Sequence, residues 1–207
     1  VLIAENQFTF GNFQNNPNNA VNHRSSLGWE AGAALLLRSS KRFTFKTGIQ
    51  FNYTRYIVRA SKFSPELTSV PMVSSYSLLR ETTLRNNNGF FAQDIPNKTM
   101  QISIPVGFEY TIARNSNVSF NLAGTVQPSY LINATGYLIT GDYKNYIKAP
   151  DLLSRMNLNT GFEIFARWNA GPFEMQAGPQ VRYQLFSNSL ERYPIQEHLV
   201  DYGFKIG

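Results

Sequence analysis

The chain has 207 residues and a net charge of +6, yet only 15 % of its residues are charged while 14 % are aromatic. Aromatic richness with sparse charge is unlike a soluble, helix-containing enzyme. The basic excess is spread along the chain rather than gathered in a stripe, which argues against a nucleic-acid partner.

There is no cysteine, so a disulfide scaffold and thiol or Cys-metal chemistry are excluded. No run of about 20 apolar residues is present, which excludes a transmembrane helix. The chain begins at Val1 without a Met or a signal-peptide pattern, the expectation for a processed chain or a piece of a longer one.

Period-2 alternation dominates, and no helical period is sustained. The first segment, Val1 to Phe10, alternates poorly but reads as a strand. Trp29 to Leu37 sets Trp29, Ala31, Ala33, Leu35 and Leu37 against Gly28, Glu30, Gly32 and Ala34. After the turn "SSKR", Phe43, Phe45, Ile49, Phe51, Tyr53 and Ile57 share a face opposite Thr44, Lys46, Gly48, Gln50, Asn52 and Thr54.

The stretch "TMQISIPVGFEYTI" then places Met100, Ile102, Ile104, Val106, Phe108, Tyr110 and Ile112 on one side, with Ser103, Pro105, Gly107 and Glu109 on the other. A proline cannot donate to a β-ladder, so Pro105 predicts a local bulge or bend. Past "RNSN", Val118, Phe120, Leu122 and Val126 alternate with Ser119, Asn121, Ala123 and Thr125. Phe162, Ile164, Ala166 and Trp168 follow, then "NAGP", then Phe173, Met175, Ala177, Val181, Tyr183 and Leu185. Val200, Tyr202, Phe204 and Ile206 close the chain.

This pattern predicts eight strands in an up-and-down antiparallel meander. The connections "SSKR", "RNSN" and "NAGP" are short, whereas roughly 11–25, 59–98, 137–157 and 187–198 are long loops. Long strands with short turns at one end and long loops at the other are the pattern of an outer-membrane barrel.

Size decides which face points inward. An eight-stranded barrel has an interior just wide enough for side chains to fill. The apolar face carries too many bulky aromatics to converge on it, since each buries on the order of 150–250 Å². The polar face instead combines glycines with a few long charged residues: Glu30, Lys46, Glu109, Glu163, Arg167, Glu174, Arg182, Asp201 and Lys205. Five acids against four bases predict a paired, side-chain-filled lumen, because unpaired buried charge is costly. Tyr53, Tyr56, Tyr110, Tyr130, Trp168 and Tyr183 lie toward strand ends, as interface girdles do. The whole chain, 1–207, reads as one barrel domain.

Several short motifs carry a family likeness. "QISIPVGFEYTI", "FNLAGTVQPSYLINATG", "MNLNTGFEI" and "VDYGFKIG" resemble successive strands of the small outer-membrane β-barrel proteins of Bacteroidota, the porin-family group that includes PorT-like proteins. The likeness spans about residues 27–207 and implies an outer-membrane location and a periplasmic end for both termini. Members stand alone, serve as subunits of envelope machines, or form the C-terminal domain of longer proteins. Barrels of this class usually end on an aromatic residue, whereas this chain ends on Gly207, so either a few further residues or an atypical ending is expected.

Candidate sites are sparse. His23 and His198 fall in or beside long loops, near Ser25, Ser26, Glu197 and Asp201, which would suit a lipid-modifying enzyme. Solvated loop histidines are the commoner case, and no metal, cofactor or phosphate-loop motif is present, so catalysis is not expected. Arg55, Arg59 and Lys62 collect near the loop side of the second long strand, where lipopolysaccharide phosphates or interfacial snorkelling would place them. Asn88, Gly89, Phe90 and Phe91, within "NNNGFF", form a candidate partner-contact loop. The expected role is a membrane anchor or accessory subunit of a larger envelope assembly, with outer-membrane lipid and a protein partner as its neighbours. A small channel is the alternative.

Overall fold

The computed structural model describes residues 2–10, 23–73, 76–86, 91–170, 173–187, 189–190 and 193–207. Its twelve strands are β1 (Leu2–Phe10), β2 (His23–Arg38), β3 (Phe43–Pro71), β4 (Ser77–Arg85), β5 (Phe91–Ser103), β6 (Val106–Arg114), β7 (Val118–Thr135), β8 (Tyr137–Ile139), β9 (Asn145–Lys148), β10 (Met156–Ala170), β11 (Phe173–Gln184) and β12 (Ile195–Ile206). All belong to one sheet, and every pairing is antiparallel.

Chain neighbours pair through short turns at one end. Arg38 stands opposite Thr44 across β2–β3, and Arg114 opposite Ser119 across β6–β7. Ser40 holds the first turn, its Oγ accepting from the Phe43 N–H at 3.1 Å. At the other edge β12 pairs with β11 and β1, and β1 with β2 over Leu2–Ala4. Among the described residues, Trp29–Arg38 of β2 therefore pairs on its β3 side alone. A cavity of about 640 Å³ opens there, lined by lumen residues such as Lys46 and Glu109 and by outward ones such as Ala31 and Phe204.

Burial follows the alternation with its usual sense reversed. Trp29, Ile49, Phe108, Phe120, Phe162, Ile164 and Phe204 are each about half exposed, whereas Lys46, Asn52, Glu109 and Asn121 are almost completely buried. An outer surface this apolar requires lipid around it. On β3 the outward apolar run extends from Phe43 to Tyr53. Ten residue steps at ~3.3 Å, tilted as barrel strands are, span about 25 Å of membrane. Phe43 against Tyr110, with ring centroids 5.0 Å apart, marks one edge of this band. Trp29 against Tyr53, at 6.1 Å, marks the other. Tyr56, assigned to a girdle from the sequence, instead points inward and is buried.

Pro105 interrupts the wall without bending its register. Ser103 and Val106 stand opposite Gln50 and Thr47 on one side, and opposite Ser129 and Val126 on the other, so the count is unchanged across the proline. The expected bulge is absent there. Register shifts lie instead at Met100/Gln101 and Thr111/Ala113, one on each side. The unbroken register sets Pro105 opposite Gly48, and the Ile104 N–H still donates to the Pro128 carbonyl at 3.0 Å.

Of the segments expected as loops, 59–98 is largely strand, while 11–22 lies outside the described residues. β3 runs on to Pro71 and returns as β4, while β8 and β9 form a second hairpin whose β9 pairs with β4. Between them lies a true hydrophobic core that includes Tyr56, Val58, Val70, Ile95, Leu138, Ile147, Leu152, Ile195 and Leu199. These elements build a cap over the long-connection end.

Placing a cation on the lipid face tests the orientation directly. Phe162→Arg, in the middle of the band, should cost about 2–4 kcal/mol of unfolding free energy measured in lipid vesicles. Phe162→Leu should cost far less, whereas a barrel turned the other way would tolerate neither.

Candidate functional site

The lumen is built from the inward positions of β2, β3, β6, β10, β11 and β12, where glycines make room for long polar side chains. Gly178 shows why. A Cβ there would meet the Ile164 carbonyl oxygen at 1.9 Å and the Phe165 Cβ at 2.7 Å. Phe165 is a large aromatic that turns inward into the lumen, and the Arg167 guanidinium lies 5.1 Å from its ring.

Eight of the nine predicted lumen charges fall into two clusters. In the one nearer the short turns, Glu109 accepts from Arg167 at 2.7 Å and lies 3.6 Å from Lys46. Lys46 donates to Glu163 at 2.9 Å, and Glu163 also receives Lys205 at 3.0 Å. In the other, Arg182 Nε donates to Asp201 at 2.9 Å, and Nη1 approaches Glu30 at 3.5 Å. Gln50 and Asn52 extend the second cluster, since Gln50 donates to both Glu30 and Asn52, and Asn52 accepts from Arg182.

The first cluster holds three cations and two carboxylates, the second one cation and two carboxylates. Their charges of +1 and −1 cancel. Glu174 lies apart from both: it is part-exposed at the turn-side mouth and pairs with Arg38 at 3.4 Å.

Above the lumen the polar network gives way to the cap. Tyr56 donates to Glu197 at 2.8 Å and accepts from Asn97 at 2.7 Å, while Asn97 also accepts from the Tyr137 N–H at 2.9 Å. Tyr193 donates to the Ile139 carbonyl, and Tyr146 to Asn86 at 3.3 Å. Burial, and then the nearby Glu197 carboxylate, push the phenols of Tyr146 and Tyr193 up from 10.0.

The histidine constellation does not assemble among the described residues. His198 points outward, stacks on Tyr183 at 6.0 Å and meets the Gln184 carbonyl at 3.1 Å through Nδ1. Its neighbour Glu197 points inward to Tyr56, and Asp201 is taken by Arg182. The His23 and Ser25 side chains lie outside the description, as do Asn88, Gly89 and Phe90. Phe91, the remaining member of that candidate loop, opens β5 and is 75 % exposed.

Of the three basic residues singled out, Arg55 and Arg59 share the outward face of β3. Lys62 falls on the opposite face by alternation and stands between Phe91 and Leu84 in the cap. The sequence grouping missed Arg24 and Lys98, which the register brings beside Arg55: Arg24 stands opposite Ile57, and Lys98 opposite Arg55. Among the described residues no cluster of His, Cys, Asp and Glu could hold a metal ion.

A lipid-facing apolar wall, a neutral salt-bridged interior and short turns at one end together define a transmembrane β-barrel. The sequence model of one family, outer membrane protein beta-barrel domain, matches residues 6–168, and the chain belongs to that family. It is an integral protein of the bacterial outer membrane. No curated protein and no solved structure is matched by the chain.

Two variants probe the two layers. Arg182→Gln leaves Glu30 and Asp201 without their shared cation and should lower unfolding free energy by about 3–5 kcal/mol, with part recovered by adding Asp201→Asn. The tyrosines predict an alkaline transition. Their folded-state values are raised, so the folded cap holds protons that the unfolded chain releases above 10.0. Cap stability should be complete below that pH and fall above it, read as protease sensitivity of the β3–β4 hairpin. Tyr146→Phe with Tyr193→Phe should flatten the dependence.

Proposed function

We propose that the protein is an eight-stave up-and-down barrel that anchors or assists a larger cell-envelope assembly, with its long connections outside and its termini in the periplasm. The pairing supports eight staves. β5 and β6 are one stave parted at Pro105, and β4, β8 and β9 belong to the cap, leaving β1, β2, β3, β5–β6, β7, β10, β11 and β12 around the wall.

The observation that carries the role is the outer face of the cap. The β3–β4 hairpin is held rigidly from beneath by Thr68, Val70 and Thr82, yet shows Leu67, Val73, Tyr76 and Leu79 to solvent, each more than 60 % exposed. Phe91 adds to them at 75 % exposure. Apolar residues held on an ordered, protruding element suit a protein partner better than water. Conduction has little support, because the lumen is filled by ion pairs and overlain by the cap.

A photo-crosslinking residue at Leu79 or Phe91 in intact cells should capture a distinct protein, whereas the same residue at Leu35 on the lipid face should not. Recovery of the barrel alone from all three positions, or steady conductance in planar bilayers, would overturn this reading.

A further inference from the structure

We infer that the outward rim of β2, β3 and β5 is a binding site for the phosphate groups of an outer-leaflet glycolipid, formed by Arg24, Arg55 and Lys98 with Arg59 above them. The register builds this site from three neighbouring strands. Arg55 and Lys98 stand directly opposite one another, and Arg24 pairs with Ile57, on the same outward face one step from both Arg55 and Arg59. Like charges placed directly opposite are destabilising unless an anion lies between them. Asp94 stands opposite Arg59, and none of the four cations enters an ion pair among the described residues.

Arg55 gives a second, independent sign. Its Nε is buried and has no acceptor in the structure. A guanidinium is rarely left so, because its planar fork matches oxyanions in a bidentate manner. The position fits a lipid head rather than a soluble anion. Just below lie Trp29 and Tyr53, the aromatic edge of the apolar band, so acyl chains would meet the band while phosphates meet the cations.

The inference rests on the proposed topology, in which this rim faces the outer leaflet, and the test separates the two. Purified protein is mixed with phosphorylated lipid A, dephosphorylated lipid A or phosphatidylglycerol, and lipid retention is read by native mass spectrometry. Phosphorylated lipid A should be retained by the wild type about tenfold more than by an R24Q/R55Q/K98Q variant. R38Q/R42Q, at the opposite end, should match the wild type, and heat-modified gel migration verifies that each variant folds. R24K/R55K should keep part of the binding, since charge remains.

Equal retention of dephosphorylated lipid A, equal retention of phosphatidylglycerol, or unchanged binding by the triple variant would each overturn the site. Topology has its own readout, labelling of L79C by a membrane-impermeant maleimide in intact cells. Lack of labelling would overturn the outward orientation while leaving the measured phosphate affinity intact.

Discussion

The barrel wall has hydrocarbon on one side, and most of the molecule follows from that. Hydrocarbon offers no partner to a polar group, so wall amides must bond to neighbouring strands and charged side chains must turn inward. Phe162 and Phe120 face out because lipid is outside, and Lys46 and Glu109 face in because nothing else would solvate them. A lumen walled by lipid-facing strands cannot hold net charge cheaply. The +1 and −1 clusters meet that demand across the whole interior rather than pair by pair.

The same demand explains the division of labour between glycine and the long side chains. Lys46, Arg167 and Arg182 must reach across the lumen to their partners, and they can do so only where the inward positions beside them are small. Gly107 sits so close to the neighbouring strand that a Cβ would meet the Gly124 carbonyl oxygen at 2.0 Å. Pro105, also inward, is accommodated by Gly48 opposite it, and the ladder resumes in the same register at Val106, the next residue. A proline inside the wall costs one hydrogen bond here, not a change in the course of the strand.

Much of the barrel was legible because alternation is a strong signal over long strands. Thr99 to Ile112 displays its two faces plainly, and the charged residues Glu30, Lys46, Glu163 and Arg182 stand out among glycines and small polar residues. Glu174 looks the same in sequence, but it is the second residue of β11 and faces the mouth, where it pairs with the exposed Arg38. The cap was not read, since Pro65, Pro71 and the serines between β3 and β4 look like loop punctuation. Its signal was present in Tyr56, Val58 and Ala60, and again in Ile95, Ile147, Ile195 and Leu199. These are apolar residues at positions where the barrel rule demands polar ones.

That exception locates the membrane boundary from within the strands. On β3 the inward residues are polar through Thr54 and apolar from Tyr56 to Ala60, while the outward residues change from Tyr53 to Arg55 and Arg59. β5 changes at nearly the same level, from Met100 to Lys98 outward, and inward from Thr99 and Asn97 to Ile95. β12 does the same between Val200 and His198 on the outside, and between Asp201 and Leu199 on the inside. Both faces change sign together because the solvent does. Below this level the surroundings are lipid and the interior must satisfy charge; above it the surroundings are water and the interior must bury apolar area. One continuous strand thus obeys two opposite burial rules, and the residue at which it exchanges one for the other is where the bilayer ends.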